Sequence, residues 1–597
     1  MADSAHRNFG RPAPRWPLPQ WPLPQWLLPH RVSPRLPGNF AALALCVASF
    51  WGPNFGWCAI DDSGVLLFDH VNGYTLTARG LTRFSGLVVA GGKVVETGDA
   101  DALRGRFADA RVIDAHGKTL LPGLIDAHGH VIDLGFEGVE IDLTGTTSLT
   151  QSLQRIADYA RANPHRTWLQ GGGWNQVTWK LTRFPTARDL DTVVSDRPVA
   201  LSRIDGHAKW LNTAALSAAG ITAKTADPVG GRIERDPEGN PSGVLVDKAM
   251  DLVDRLIPPP TDAERLEALR SAMAHLNSVG LTSVGDAGVT AGVISLYQQL
   301  ADRHELTVRI YAMIGGVDED FAAFATAGPM IGYGGDFLTV RSVKLFADGA
   351  LGSRGAALLA PYSDSPHQRG LKFMSDAAMA AKIEKGLKAG FQVNVHAIGD
   401  AANRQVLDGF ETAYRRVGGR ELRNRIEHAQ VVTLADIPRF KQLDLIASMQ
   451  PTHATSDKNM AESRIGAERL RGAYAWRRFL DQGTRIAGGS DFPVESDNPF
   501  FGLYAAVTRT DHEGQPAGGW HAEQAMTLIE AFRAFTLDAA YAQHQETLLG
   551  SLEPGKWADF ILVDRDPFAI PVADLWKVQV EQTWVGGEKV WSGVGAK

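Results

Sequence analysis

Cysteine is almost absent from this sequence of 597 residues, which contains only 2. They are Cys46 and Cys58, so no residue beyond position 58 can join a disulfide or offer a thiolate to a metal. A cysteine nucleophile is excluded from the body of the chain for the same reason. Any metal site there must therefore use nitrogen and oxygen ligands.

Long apolar runs and a strong excess of charge of one sign are also missing. No apolar run reaches the roughly 18 to 20 residues that a helix needs to cross a bilayer. The formal net charge is -7, which does not favour binding to a phosphate backbone. The composition, 44% hydrophobic and 21% charged, is that of a globular protein with room for more than one domain. We expect no nucleic acid partner and no stable membrane span, while a homo-oligomer stays open.

The first 59 residues differ from the rest of the chain. Residues 16–29 (WPLPQWPLPQWLLP) form a proline-rich repeat, which favours extended polyproline conformations. Arg31 and Arg35 precede the apolar run 40–51 (FAALALCVASFW), the pattern of a secretory leader with a weak cleavage signal. We expect a periplasmic or secreted protein. A cytoplasmic protein with a disordered tail is the alternative.

Short strands separated by turns mark both ends of the remaining chain. Residues 88–98 (VVAGGKVVETG) predict a hairpin around two glycines, and residues 583–591 (TWVGGEKVW) repeat that design. Because these strands flank a long middle, we predict that residues 60–120 and 550–597 form one small β-sandwich domain.

The middle of the chain, residues 121–549, alternates apolar β-branched runs with amphipathic helical stretches, the pattern of an α/β fold with a parallel sheet. Eight such units predict a closed (β/α)8 barrel of the TIM type. The first two strands are much further apart than a βα connection requires, so residues from about 150 to 275 should form an inserted α/β subdomain. The eight predicted strands are 120–131, 281–288, 306–314, 338–349, 391–400, 424–430, 445–453 and 484–494.

Four histidines and one aspartate lie at the ends of predicted strands. His128 and His130 are two residues apart on a strand, so their side chains project from one face. His396, His428 and Asp491 each follow an apolar run on three other strands. Active sites of such barrels lie at the C-terminal ends of the strands, where imidazoles are well placed to bind a divalent metal. The pattern therefore predicts a metal site.

Lys344 lies inside a predicted strand among apolar neighbours (VRSVKLFADG), where an unpaired ammonium is costly. Its amine could escape to solvent or pair with Asp348. Alternatively, a buried lysine loses its proton readily. The neutral amine can then take up CO₂ to form a carbamate, an anionic bridge between two metals. Both interpretations stay open.

These residues occur in longer segments that resemble the amidohydrolase superfamily, and within it the YtcJ-like branch, similar to N-substituted formamide deformylases. The resemblance covers the chain from about residue 64 to the end and leaves out the proline-rich leader. It is carried by GLIDAHGH (123–130), LQGGGWNQ (169–176), LSRIDGHAKWLNTAAL (201–216), VKLFADGALGSRGAAL (343–358), VHAIGDAANRQVLDGFE (395–411), the SDFP aspartate and SLEPGKWADFILVDRDP (551–567).

The resemblance implies a metal-dependent hydrolase that cleaves an amide or formamide-like C–N bond of a small-molecule substrate, with one or two divalent ions and zinc as the first candidate. His128 and His130 would hold one metal together with Asp491. His396 and His428 would hold the second. The lysine, carboxylated on its side-chain nitrogen, would bridge them. A hydroxide formed at the metals would attack the carbonyl, with the aspartate as general base and then general acid. The implied ligands are His128, His130, Lys344, His396, His428 and Asp491.

Two candidate substrate contacts, Trp174 and His207, lie in the inserted segment, from which they could reach over the barrel mouth. His207 could orient the substrate carbonyl, or it could be a surface histidine. The tryptophan belongs to one of the segments that carry the resemblance.

Two more candidates follow barrel strands. Arg354 could bind an anionic group or pair with Asp348, and His453 could contact substrate or support a metal ligand. Asp400 and Glu427, which neighbour metal histidines in the sequence, could orient their second ring nitrogens.

Three functions stay open at this point. The first is a hydrolase of C–N bonds in amides, formamides or cyclic ureides. The second is a metal enzyme that acts on esters, lactones or phosphotriesters, since a scaffold does not fix its chemistry. The third, a non-catalytic binding protein, is disfavoured because Asp491 and all four histidines are present.

Overall fold

A computed structural model of the protein describes residues 64–593, except 78, 177, 204–207, 229–230, 248 and 353. The predicted leader, residues 1–59, lies outside this range, so export stays a prediction. His207 also lies outside the described residues. None of the helices in the described part of the chain is long and apolar enough to cross a membrane.

Eight parallel strands form the central barrel, and each falls where the sequence predicts it. Their order in the sheet follows their order in the chain, and a short antiparallel strand, Met330–Gly332, is added beside the fourth. Beyond the eighth strand, the amide of Asp491 donates to the carbonyl of His128 over 2.8 Å, which connects the last strand to the first. The barrel strands are Leu124–Gly129, Leu281–Val289, Arg309–Gly315, Leu338–Phe346, Gln392–Ala397, Arg425–His428, Ile446–Met449 and Ile486–Gly488.

Amphipathic helices surround the barrel. The helix Asp400–Val417 shows why: Val406, Phe410 and Ala413 recur at helical spacing on one face, and all are buried. The helices outside the insertion are Ala100–Arg106, Val131–Val139, Asp262–Ser278, Ala291–Asp302, Glu319–Ala327, Tyr333–Asp336, Asp376–Lys388, Asp400–Val417, Ile437–Gln442, Pro451–Asp457, Ala461–Leu470, Trp476–Asp481, Pro499–Thr508, Leu528–Ala534 and Leu537–Ala542, with 3-10 turns at Arg420–Leu422, Ala522–Gln524 and Val572–Lys577.

The long connection after the first barrel strand folds into its own six-stranded sheet. This sheet begins at Ile141. Helix Asp262–Ser278 lies beside the barrel, because it packs closely on helix Val131–Val139, which follows the first barrel strand: a Cβ at Gly135 would lie only 2.1 Å from the carbonyl oxygen of Ala268. The strands, in sheet order, are Gly231–Arg235, Pro241–Asp247, Ala208–Leu211, Val199–Arg203, Leu169–Trp174 and Ile141–Asp142, and the helices are Leu149–Ala162, Ala187–Asp191, Thr213–Ala218 and Asp251–Asp254.

Strands from both ends of the described chain share one sheet, in which Leu562 is paired with Leu120. The ring of Phe68, from a second sheet, lies 4.8 Å from that of Phe560 and 4.9 Å from that of Trp584, so the two sheets pack as a sandwich. The fold class predicted from the sequence is confirmed. In sheet order the strands are Glu588–Ser592, Val580–Val585, Phe560–Val563, Thr119–Pro122, Asn72–Thr77 and Gly80–Phe84, then Lys93–Gly98, Gly86–Ala90, Val65–Asp69 and Arg111–Asp114.

A buried ion pair joins this sandwich to the N-terminal end of the barrel. Arg309, the first residue of the third barrel strand, donates from Nε and Nη2 to Asp559 over 2.7 and 3.0 Å. The amide of Gly586 donates to the same carboxylate over 2.7 Å. Both charges are therefore desolvated and fully matched.

Candidate metal centre

The predicted ligands meet at the C-terminal ends of the barrel strands. One ring nitrogen from each of His128 and His428 and one oxygen of Asp491 all lie within 4.8 Å of one another. All three residues are buried. They come from the first and sixth strands and from the loop after the eighth, so the closed barrel brings together residues that are far apart in sequence.

Asp491 lies at the centre of the site. Its Oδ1 is 3.2 Å from Nε2 of His130 and 3.4 Å from Nε2 of His128, and its Oδ2 is 3.7 Å from Nε2 of His453. Burial alone would raise the pKa of this carboxyl, but the bond to His130 and the histidines around it hold the pKa well below its usual range. Asp491 is therefore a carboxylate at neutral pH.

The backbone at the site is unusual at two ligands. His428 has φ 73° and Asp491 has φ 65°, in the left-handed region that residues other than glycine rarely adopt. Such conformations cost roughly 1 to 3 kcal/mol and persist where the surroundings impose them, often at functional sites.

Asp126 is the residue that fixes this backbone. It accepts hydrogen bonds from the amide of His128 (2.9 Å) and from the amide and hydroxyl of Ser490 (3.0 and 2.7 Å). A Cβ at Gly489 would lie 2.7 Å from its Oδ1, so only glycine fits there. Asp126 therefore holds the loop of Asp491 against the strand of His128, in a structural role.

Three histidines have their Nδ1 atoms engaged by oxygen atoms, which leaves Nε2 for the site. His128 Nδ1 lies 2.6 Å from Oε2 of Glu427, His130 Nδ1 lies 2.9 Å from the carbonyl of Ala287, and His428 Nδ1 lies 2.9 Å from Oε1 of Gln450. Such contacts fix the tautomer and the ring orientation of metal-binding histidines.

Glu427 is a carboxylate despite complete burial. Burial alone would raise its pKa, but His128, through its charge and its hydrogen bond, and then Arg425 lower the pKa to about 2. Glu427 orients His128 rather than its sequence neighbour His428. Asp400, the other carboxylate considered from the sequence, accepts the amide of Leu359 over 2.8 Å and so contributes to the loop.

Lys344 reaches neither solvent nor Asp348. Its side chain is 1% exposed, and Nζ lies 2.7 Å from Nε2 of His128. Asp348 instead accepts hydrogen bonds from the amides of Ala357, Ile398 and Gly399, so neither form of the alternative interpretation, a lysine that reaches solvent or pairs with Asp348, is observed. Burial lowers the pKa of Lys344 to about 8, which gives the amine a substantial neutral fraction in mildly alkaline solution.

Two buried nitrogens at the site, Nε2 of His396 and Nε2 of His453, have no hydrogen-bond partner. Buried polar atoms are nearly always paired, so these atoms suit a ligand. Their rings lie 4.6 and 5.8 Å from the ring of His428. Burial lowers the pKa of His396 to about 3, which keeps it in the neutral form that binds metals. The donor set of imidazole nitrogens and a carboxylate fits a divalent ion such as zinc.

Trp174 is a core residue of the inserted subdomain. It has no exposed surface, and its indole Nε1 donates to the carbonyl of Leu201 over 2.8 Å. Its ring packs 6.4 Å from that of Trp179 and 6.2 Å from that of Trp210. The predicted substrate contact is therefore wrong: the structure gives this side chain to a local core.

Arg354 is held within its own loop. Its Nε and Nη2 bind the carboxylate of Asp364 over 3.1 and 2.9 Å, and Arg464 binds the same carboxylate. Of the two roles that the sequence left open for Arg354, pairing with Asp348 is not observed, because Asp348 accepts backbone amides instead. Both nitrogens on one edge of the guanidinium are taken, which leaves it poorly placed to bind an anionic substrate.

Two residues next to the ligands were not predicted from the sequence. Gln450 follows the seventh strand, as His453 does, so its position at a strand end could have been used to predict that it lies at the site. Phe346 ends the fourth strand, and its ring centre lies 5.5 Å from that of His396. An apolar residue at a strand end carries no signal that separates it from the core.

The model of the amidohydrolase family matches residues 111–591. The chain belongs to the amidohydrolase family. The predicted family and the predicted enzyme class, a metal-dependent amidohydrolase, are thereby confirmed.

This amidohydrolase is 32% identical over 530 residues to the amidohydrolase YtcJ of Bacillus subtilis, and the alignment covers 87% of this chain and 98% of the relative. It is 30% identical over 540 residues to N-substituted formamide deformylase of Arthrobacter pascens, with 87% and 97% covered. Among solved structures, a metal-dependent hydrolase of Pyrococcus furiosus has a TM-score of 0.70 and 29% identity, covering 84% of this chain and 99% of its own.

Proposed function

We propose that this amidohydrolase hydrolyses an amide or formamide-like C–N bond, with Asp491 as general base and then general acid. The observation that carries the proposal is the position of this carboxylate, with Oδ1 facing two histidine nitrogens and Oδ2 facing a third. The similarity to N-substituted formamide deformylase supports a C–N bond as the target.

The metal ligands in this proposal are the six residues named from the sequence, with zinc as the first candidate and one or two ions bound. A divalent ion held by these residues would acidify a water molecule and polarise the substrate carbonyl. Nitrogen and oxygen donors are the ligands that zinc takes where cysteine is absent. The unpartnered Nε2 of His396 supports a role for that residue as a ligand.

The proton transfers fall to Asp491. It takes a proton from the attacking water as the C–O bond forms, and it delivers that proton to the amine nitrogen as the C–N bond breaks. His453 has a buried, unpartnered Nε2 that lies 3.7 Å from Oδ2 of Asp491. In its Nε2–H tautomer it donates a hydrogen bond to the substrate carbonyl, whose oxygen gains negative charge during the attack.

Lys344 is proposed to bind CO₂ as a carbamate: Nζ forms a bond to the carbon and releases a proton. The burial of the amine and its lowered pKa support this reaction. The carbamate then replaces the contact between Nζ and His128 and serves as an anionic ligand. Lys344→Ala should lose metal and activity, and short carboxylic acids should restore part of both. An absence of any recovery would count against the carbamate.

A substrate screen tests the reaction class. Metal-loaded protein is assayed with N-formyl and N-acetyl amines and, in parallel, with aryl esters and lactones. Release of amine from the N-acyl compounds is the expected result. If only esters or lactones are cleaved, the alternative hydrolase is correct, and if no substrate in either set is cleaved, the proposed reaction is wrong.

A further inference from the structure

A cavity opens at the N-terminal end of the barrel, opposite the metal ligands. Its lining includes Ile446 and Ile486, the first residues of the seventh and eighth strands, whereas the ligands lie at the other ends of the strands. Its volume of about 280 Å³ is close to the lower end of the range for small-molecule pockets, which begins at roughly 300 Å³. We call it the basal cavity. It is large enough for a small ligand.

Two arginines of the basal cavity share one carboxylate. Arg485 and Arg533 both donate to Asp538, and the bond from Nε of Arg533 is 3.1 Å long. One carboxylate cannot neutralise two guanidinium groups. A third cation of the lining, Lys441, forms no ion pair with any residue in the part of the chain that the structure describes. These three groups therefore bring more positive charge than their one shared partner can balance.

The other charged residues of the lining do not remove this excess. Glu530 is paired with Arg477, outside the lining, over 2.9 Å. Arg423, a further lining cation, is paired with Glu546, also outside the lining, over 2.7 Å. Asp444 is the only lining carboxylate for which the described residues provide no ion pair, and it can offset a single charge. The basal cavity therefore keeps an excess of positive charge, which attracts an anion.

Donors for an anion are available and held in position. Nε and Nη2 of Arg485 and both Nη atoms of Arg533 make no hydrogen bond to the described residues, and the two side chains are 35% and 42% exposed. The guanidinium carbon of Arg485 lies 3.9 Å from the ring centre of Tyr541, which also lines the cavity. This cation–π contact and the bond to Asp538 fix the guanidinium before any ligand arrives.

We propose that the basal cavity binds a small organic anion, a compact apolar body that carries a phosphate or carboxylate group. The anionic group accepts charge-assisted hydrogen bonds from Arg485, Arg533 and Lys441. The apolar body packs on the uncharged part of the lining. This site is separate from the metal centre, and it does not depend on the reaction proposed there. The apolar residues of the lining are Leu445, Ile446, Leu480, Ile486, Met526 and Ala534.

Titration calorimetry of the full-length, metal-loaded protein tests the proposal with four probes. Phenyl phosphate, benzoate and phenol share an aromatic ring and differ in the anionic group, while inorganic phosphate lacks the ring. We expect at least one of the two aromatic anions to bind about tenfold or more tightly than phenol, because only the anions accept charge-assisted hydrogen bonds. Inorganic phosphate should bind more weakly than phenyl phosphate, since it buries no apolar surface. The ratio of the affinities for phenyl phosphate and benzoate shows which anionic group the cavity prefers.

Two variants assign the binding to the basal cavity. Lys441→Gln leaves no ion pair broken and should lower the affinity for the tighter aromatic anion about five- to tenfold, and Arg485→Gln should lower it about tenfold or more. Arg404→Gln is the matched control. Arg404 is a 40% exposed arginine that donates to the buried Asp436 over 2.9 and 2.8 Å, outside the basal cavity. Its replacement should leave the affinity unchanged, and all three variants should keep the metal content of the wild type.

Three results would overturn the proposal. The first is equal affinity for phenol and for both aromatic anions, because the cavity would then not select an anion. The second is unchanged affinity in both Lys441→Gln and Arg485→Gln, which would assign the anion to another place. The third is binding to the wild type that disappears when the metal is chelated, which would assign the anion to the metal centre. None of these results bears on the proposed C–N hydrolysis, which the substrate screen tests separately.

Discussion

Two groups of buried charge occupy the two ends of the barrel, and they are built differently. At the N-terminal end, Arg309 donates two hydrogen bonds to Asp559. The guanidinium also donates to the carbonyl of Gly335, and the carboxylate also accepts the amide of Gly586. At the C-terminal end, the Nε2 atoms of His396 and His453 have no hydrogen-bond partner. Complete pairing indicates a structural role, whereas buried atoms left unpaired around one point indicate a place for a ligand.

The largest effect should come from the unpaired end. Asp491→Asn keeps an oxygen near the histidines but removes the proton acceptor, so kcat should fall by about 10² to 10⁴. Much of the metal should be retained, because the side chain still offers an oxygen. Steady-state kinetics with parallel metal analysis checks both expectations. Near-normal turnover would show that Asp491 is not the base.

At the paired end the expected effect is on stability alone. Asp559→Ala leaves the buried guanidinium of Arg309 without its carboxylate and should reduce the free energy of unfolding by about 3 to 5 kcal/mol. Denaturant unfolding measures this loss. Metal content per folded protein should match the wild type. A specific loss of metal would break the distinction between the two ends.

Glu427 sharpens the comparison because it lies at the unpaired end and yet has one carboxylate oxygen, Oε2, in contact with His128. Glu427→Gln keeps the shape but weakens the contact that orients His128. Metal affinity should fall by about 10- to 100-fold, as expected for partners of metal ligands. Competition with a chelator of known affinity gives this number. If affinity is unchanged, the contact between Glu427 and His128 is structural only.

Trp174 gives the smallest expected effect. Trp174→Phe retains an aromatic ring in the inserted core but leaves the carbonyl of Leu201 without its donor. The free energy of unfolding should drop by about 1 to 3 kcal/mol while KM stays constant. A raised KM with normal stability would instead indicate that Trp174 contacts the substrate, as the sequence suggested.

The sequence predicts the barrel, and which polar residues lie at the C-terminal ends of its strands, for a physical reason. Buried parallel strands appear in the sequence as continuous apolar runs, and their C-terminal ends all lie at the same end of the barrel. Histidines that follow such runs therefore indicate the site before any side-chain contact is known. Which side chains form ion pairs or hydrogen bonds with each other cannot be predicted in this way, because it depends on how the loops fold. Nothing in the sequence shows that Arg354 binds Asp364, or that Glu427 bonds His128 on a distant strand instead of its neighbour His428.

The side chains that pack without charge are the hardest to assign. Trp174 in a glycine-rich segment and Phe346 at a strand end are both aromatic residues near polar motifs. One is buried in a separate core and the other is exposed beside His396. Only the tertiary structure separates them, since burial depends on what packs against each residue.

Element-resolved metal analysis of the wild-type protein and of His428→Ala, combined with activity before and after chelation, tests the central claim most directly. The wild type should carry at least about one equivalent of a divalent ion, should lose activity on chelation and should regain it when zinc is added. His428→Ala should fold but carry markedly less metal, because a nitrogen ligand is removed. Full activity of the wild type after complete removal of metal would contradict the account.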